Sequence, residues 1–358
     1  VHPLIAISSA VLDMLVQNSS PFDFEPLFQI LTQPKRLLDS LRRHGRRAEE
    51  MATEKTLLRG LHLATSLVRT SSQIYRSGGG LPTILTMMFD PAVAAPDVKE
   101  HYHLVNILFD YIFSPKFQVD TTIASAGLLQ QLAAIQSAED GSLSILPCLQ
   151  EPRRIGKELQ ATLQDKSRTA ALHRCLWHLL MTASQYQTGF ASLCLDPRSI
   201  FIFGPAAVEA DETANSQTIL RDVTDIVANW GTYWDADTAP LLSTMRILEV
   251  VYVYHPQIAV VGGCGARAEL WEALYGIVTS SQANAPLIST QMLDDDEDRK
   301  ALIADVVRYS SRRRIRASAV RILAAVLERA DPAILEEKSA PQKTALRLFA
   351  EPEAYRMM

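Results

Sequence analysis

The residues whose spacing carries the most chemistry are Gly263-x-Gly265-x-x-Ala268, preceded by the apolar run Ile258-Ala259-Val260-Val261. This is the form of a dinucleotide fingerprint, in which glycines let a strand-to-helix turn close on a pyrophosphate at a helix N-terminus. The chemistry needs a strand before the turn, parallel strands beside it and an acidic residue closing the second strand. Here the run is short, follows Pro256 and stands late in a chain of helical patterns, and Asp294 lies too far on in an acidic loop. The context therefore favours a glycine-rich turn between two helices, with a nucleotide-binding enzyme built on Gly263–Ala268 as the alternative from another class.

The remaining motifs point away from catalysis. Gly78-Gly79-Gly80 lacks the Lys-Ser/Thr of a P-loop and reads as a helix C-cap leading to Pro82. His101 and His103 are two apart, His173 and His178 five apart, so neither pair shares a helix face, and no H-E-x-x-H is present. The cysteines Cys148, Cys175, Cys194 and Cys264 form no C-x-x-C and sit in apolar surroundings without local activation. There is no G-x-S-x-G elbow, and the run Asp294–Asp298 lacks the alternation and glycine of an EF-hand. That run instead solvates a loop and favours the N-terminus of a helix near Ala301. No catalytic, cofactor or metal residue is expected.

Two basic clusters are the candidate binding residues: Lys35, Arg36, Arg42, Arg43, Arg46 and Arg47, and then Arg308, Arg312, Arg313, Arg314 and Arg316. Either suits acidic protein segments, phosphate or an anionic surface. The competing reading is a pair of solvated faces, compensated by Glu49, Glu50 and the 294–298 run.

The positioning elements are helices. The chain has 358 residues, 47% hydrophobic and 21% charged, with a formal net charge of −5. Leu and Ala make up about a quarter of it and glycine is scarce, which excludes collagen-like, disordered and disulfide-stapled classes. Mild acidity argues against sequence-independent nucleic-acid binding. The uncharged stretch Val250–Ala266, which carries His255, Pro256 and a glycine cluster, is too short and interrupted to span a bilayer. The unpaired cysteines fit a cytosolic or nuclear compartment. The start at Val1 without an initiator Met, inside a helical pattern, predicts a piece of a longer chain.

Periodicity predicts major helices near 3–17, 53–75, 97–113, 121–136, 167–187, 217–229, 240–254, 267–279, 299–310 and 313–330, with shorter ones near 23–32, 34–44, 82–88, 155–164 and 342–350. Thr53, Asp97, Thr121 and Ser167 are expected N-caps, and Pro34, Pro82 and Pro240 mark first turns. Ile315, Ala319, Ile322, Leu323 and Val326 share one helix face. Leu57, Leu58, Leu61, Leu63, Leu67, Val68 and Ile74 cover a wide arc, as expected of a helix with neighbours on two sides. The fold class expected is all-α: an irregular α-solenoid or superhelix of stacked HEAT/armadillo-like helix pairs, with residues 1–195 as its first part, 196–216 as an insertion loop and 217–358 as its second part, in one continuous array.

The pattern Ile315-Arg316-x-x-Ala319-x-x-x-Leu323 resembles the second helix of a HEAT repeat. Together with Leu/Ala-rich helices, mild acidity, polar insertions and the double-faced Thr53–Ile74 segment, the chain resembles the tail regions of the large inner-ring scaffold nucleoporins. Those tails are karyopherin-like superhelices. The resemblance implies a non-enzymatic structural role in the nuclear pore complex at the nuclear envelope. It also implies contacts with pore scaffold components and a capacity for Phe-Gly repeat segments or transport factors in inter-helix grooves. A cytosolic HEAT/armadillo adaptor is the alternative within the class.

Overall fold

The computed structural model describes residues 14, 16–89, 103–135, 143–195, 218–261, 264, 267–280 and 296–329. Every α-helix and 3₁₀ turn among them belongs to an all-α protein, and no strand occurs among the described residues. The chain divides into two compact units, Val1–Cys194 and Leu195–Met358.

The first unit begins with α1 (Pro21–Thr32), α2 (Pro34–Arg43) and α3 (Arg47–Arg76). It continues through α4 (Thr83–Phe89), α5 (Leu104–Phe113), α6 (Val119–Ala133), a 3₁₀ turn (Leu146–Cys148), α7 (Pro152–Gln164), α8 (Ala170–Tyr186) and α9 (Thr188–Leu195). Helix α3 starts six residues before the expected cap Thr53, because Gly45, at φ +67°, turns the chain out of α2 directly into Arg47. Gly78, at φ +84°, ends α3 as the triple glycine predicts.

Helix α3 packs against α6, and α6 against α8. In parallel, α1 packs against α5, and α5 against α7. The cross-links α1–α3, α5–α6 and α7–α8 join the two rows. Leu57, Leu61, Leu67 and Val68 of α3 are buried in this way, whereas Leu63 stays exposed. Gly60 lets α1 approach: a Cβ there would stand 2.7 Å from the Ile30 side chain. Tyr111 of α5 donates to the Leu31 carbonyl of α1 at 2.8 Å, and burial pushes its phenol pKa up.

The second unit holds α10 (Ile219–Ala228), α11 (Trp230–Trp234), α12 (Thr238–Tyr254), α13 (Pro256–Val261), α14 (Ala268–Thr279) and α15 (Asp296–Glu328). Its main helices repeat the same scheme: α10 contacts α14, α12 contacts α15, and the pairs α10–α12 and α14–α15 close the set.

Several expectations change. The helices read at 299–310 and 313–330 are one 33-residue helix, α15, about 50 Å long. The helices 188–195 and 230–234 were not expected; both are short and lack a periodic stripe long enough to read. Thr121 lies inside α6 and is no N-cap. The service comes instead from Glu54 of α3, whose buried carboxylate accepts the Gln118 N–H at 2.6 Å, as a capping-box acid does from within a helix. Thr169 rather than Ser167 caps α8, accepting the Leu172 N–H. Helix 342–350, most of helix 3–17 and the expected cap Asp97 lie outside the described residues.

Candidate functional site

The first basic cluster spans α2 and the start of α3, and half of it is already engaged. Lys35 meets Asp110 of α5 at 2.5 Å. Arg42 pairs with Glu50 at 2.6 Å, donates to the Lys116 carbonyl at 2.8 Å and lies over the Phe117 ring. Arg46 pairs with Glu49. Arg36, Arg43 and Arg47 are exposed, with no ion pair among the described residues. Pairs this exposed contribute roughly 0–1 kcal/mol each.

The second cluster does more internal work. Arg312 donates through Nε and Nη2 to the Trp234 carbonyl at 3.1 and 2.8 Å, pairs with Asp235 at 2.6 Å and lies over the Trp234 ring. Arg316 donates to the carbonyls of Ile277 and Ser280 and also covers Trp234. Burial, with the neighbouring Arg312 charge, lowers its pKa. The last carbonyls of α11 and α14, which have no intrahelical donor, are thus satisfied by guanidinium groups of α15. Arg308 pairs with Asp305 at 3.3 Å and Arg313 lies over Tyr309, while Arg314 is exposed.

This use of arginine recurs at residues that sequence reasoning passed over. Arg76 caps α6 at Ala134, Arg168 caps α5 at Phe113 at 2.9 Å, and Arg329 caps α12 at Tyr252 and Val253. Polar groups close the remaining seams. Buried Gln187 donates to the Ile135 and Leu143 carbonyls and accepts the Ile145 N–H. Glu249 of α12, almost fully buried, accepts from Arg246 at 2.8 Å, Arg321 at 2.8 Å and the Ser318 hydroxyl at 2.5 Å. A charge at 249 within an apolar helical run was the available signal for that site.

An open cleft of about 480 Å³ lies among α2, α5 and α7, lined by Lys35, Asp110, Ser114, Glu158, Asp165 and Arg168. Its charges neutralise one another: Lys35 and Arg154 face Asp110, and Arg168 faces Asp165. The Asp165 pKa is held down by the Ser167 hydroxyl and N–H.

Among the described residues, burial sets three of the cysteine thiols against forming thiolate. Burial pushes the Cys148 thiol up to about 11 and raises Cys175 and Cys194 as well. Burial lowers the His178 and His255 pKa values, and His173 Nε2 lies 3.2 Å from the Thr162 carbonyl. No group of three or more His, Cys, Asp or Glu able to hold a metal occurs among the described residues. Residues 256–261 are helical where the dinucleotide fingerprint needs a strand. Gly263 and Gly265 lie outside the described residues. No helix among the described residues is long and apolar enough to cross a membrane.

Comparison with protein-family models, with curated proteins and with solved structures returns no match.

Proposed function

We propose that the chain is a non-enzymatic structural scaffold, an α-solenoid of HEAT/armadillo type that serves the inner ring of the nuclear pore complex through protein–protein contacts. The observation that carries this reading is the two-row packing, in which α1, α5 and α7 follow one another beside α3, α6 and α8. Stacked helix pairs bury a continuous core by touching the pair before and the pair after. The arginine caps fit the same logic, since they seal helix ends that such stacking leaves at the rims. The Leu/Ala-rich texture and mild net acidity support membership among the pore scaffolds, with pore components, Phe-Gly segments or transport factors as partners.

The test is a pull-down from nuclear-envelope extract with this chain. Recovery of pore scaffold components supports the proposal; recovery of cytosolic partners alone replaces it with a cytosolic HEAT/armadillo adaptor. Saturable binding of NAD by the purified chain would replace both with the nucleotide-binding reading.

A further inference from the structure

Helix α3 buries one side against α1, α2 and α6 and gives the other to solvent. Along the exposed side Lys55, Arg59, His62, Ser66, Arg69 and Gln73 follow one another at steps of three or four residues. At the helical repeat all six fall within about 40° of one line. From Lys55 to Arg69 the row is about 21 Å long, and it carries no carboxylate. The acids of α3 are turned elsewhere: Glu49 pairs with Arg46, Glu50 pairs with Arg42, and Glu54 is buried against the Gln118 N–H. Lys55, Arg59 and Arg69 accordingly have no ion pair and no side-chain hydrogen bond among the described residues.

A solvated helix face ordinarily interleaves opposite charges, which support one another at i, i+3 and i+4. Other exposed faces of the chain follow that pattern. Arg154 meets Glu151 and Glu158 on α7, while on α15 Lys300 meets Glu297 and Arg308 meets Asp305. The row on α3 instead sets Lys55 one turn from Arg59, in a chain with 40 acids against 35 bases. We propose that this row is a docking surface for an acidic helix of a partner protein, one with Asp or Glu down one face at three- and four-residue spacing. Such a helix laid along α3 meets each cation with a carboxylate, since both follow the same repeat. A second copy of α3 would set cation against cation. A lipid surface finds only exposed Met51 and Leu63 near the row, with no Trp or Phe to insert. Nucleic acid finds no aromatic ring on the row to stack on, and its phosphates would meet a chain of net charge −5.

The proposal rests on the reading of the chain as a binding scaffold, and the two fail separately. The probe is a fluorescein-labelled, helix-stabilised peptide with Glu on one face and Ala and Gln elsewhere, titrated with the full chain by anisotropy. One control peptide has the same composition with its Glu spread around the helix, and another carries Lys in place of Glu. The one-faced acidic peptide binds, the spread peptide binds several-fold more weakly, the Lys peptide does not bind, and added salt weakens binding. Lys55→Gln with Arg59→Gln removes two exposed pairs and weakens binding about tenfold. Lys55→Glu with Arg59→Glu transfers the preference to the Lys peptide. Lys300→Glu with Arg314→Glu makes the same change in net charge on α15 and leaves binding within about twofold of wild type. The altered side chains are exposed, so every variant keeps the wild-type helical spectrum and melting midpoint.

Equal binding of the one-faced and spread peptides overturns the proposal, as does indifference to the Lys55 and Arg59 variants or an equal loss from the α15 variant. Tighter binding of duplex RNA or of phosphatidylserine vesicles, lost in Lys55→Gln with Arg59→Gln, overturns it in favour of that occupant. Pore recovery by a chain that ignores the acidic peptide removes the docking surface alone; peptide binding without pore recovery removes the pore assignment alone.

Discussion

The two halves of α15 obey different rules within one uninterrupted helix. Residues 311–329 are held by everything a protein interior offers: a fully buried Ile315–Ala319–Ile322 face, a buried carboxylate partner and arginine caps on α11, α12 and α14. Residues 297–307 offer apolar side chains of the same kind to solvent. The contrast teaches that helix continuity is not evidence of packing. The second half folds because α12 and α14 cover it, and the first half extends because helix propagation adds a hydrogen bond for each residue fixed. Core substitutions should therefore be costly on one side of Ser311 and nearly free on the other.

The largest effect is expected at Leu323. It is 1% exposed between α12 and α15, and Leu323→Ala should cost about 3 kcal/mol through lost transfer energy and a cavity. Urea unfolding followed by tryptophan fluorescence reads this directly, since Trp230, Trp234 and Trp271 are three of the four tryptophans and all lie in the second unit. The matching Ile303→Ala should leave the midpoint unmoved. Equal losses at the two positions would erase the distinction between the halves.

Glu249 comes next. Glu249→Ala strands the buried Ser318 hydroxyl and removes the acceptor for Arg246 and Arg321, costing about 2 kcal/mol. Glu249→Met fills the same volume without a charge and should recover most of that loss, since an apolar replacement of a buried ionic group is often neutral. If Met were as damaging as Ala, the network would hold the α12–α15 seam by more than desolvation arithmetic.

Much of this architecture is legible in the residues themselves. The stripe Ile315, Ala319, Ile322, Leu323 announces its own burial, Val250–Tyr254 continues a helix that Pro256 closes, and Gly78 ends α3 where the triple glycine says it must. What is not legible depends on partners distant in sequence. Thr121 has the type of an N-cap, yet the cap of α6 arrives from Glu54, far along the chain in α3. The basic run 308–316 reads as a binding patch because sequence cannot show that Arg312 and Arg316 already face the carbonyls of Trp234, Ile277 and Ser280. The split of α15 into two helices has the same origin. Its apolar stripe changes phase between Val307 and Ile315, and a phase change looks like a break when nothing shows which stripe is covered.

Among those arginines the effect is smaller. Arg316→Ala leaves the last carbonyls of α14 to water and uncovers one side of Trp234, an expected loss of about 1 kcal/mol. Arg312→Lys should recover little of what Arg312→Ala loses. An ammonium is a point charge, whereas the guanidinium reaches the Trp234 carbonyl through two nitrogens and Asp235 at the same time. Melting curves of the three variants rank them. A Lys variant equal to wild type would mean that charge alone matters at this corner.

The smallest effect has the most informative sign. Replacing Ile303, Val306 and Val307 together by Ala removes three β-branched residues that pay χ1 entropy in a helix. An unpartnered stretch should gain about 0.5 kcal/mol of local helix stability per valine. Global unfolding should not change, because these side chains touch little of the core. Amide exchange across 297–307 should slow severalfold, while exchange across 311–328 stays the same. A packed face predicts the opposite on both counts, since losing three aliphatic side chains from an interior costs several kcal/mol and speeds exchange. Protection gained on truncation marks a face that nothing packs against; protection lost would mean that something already covers it.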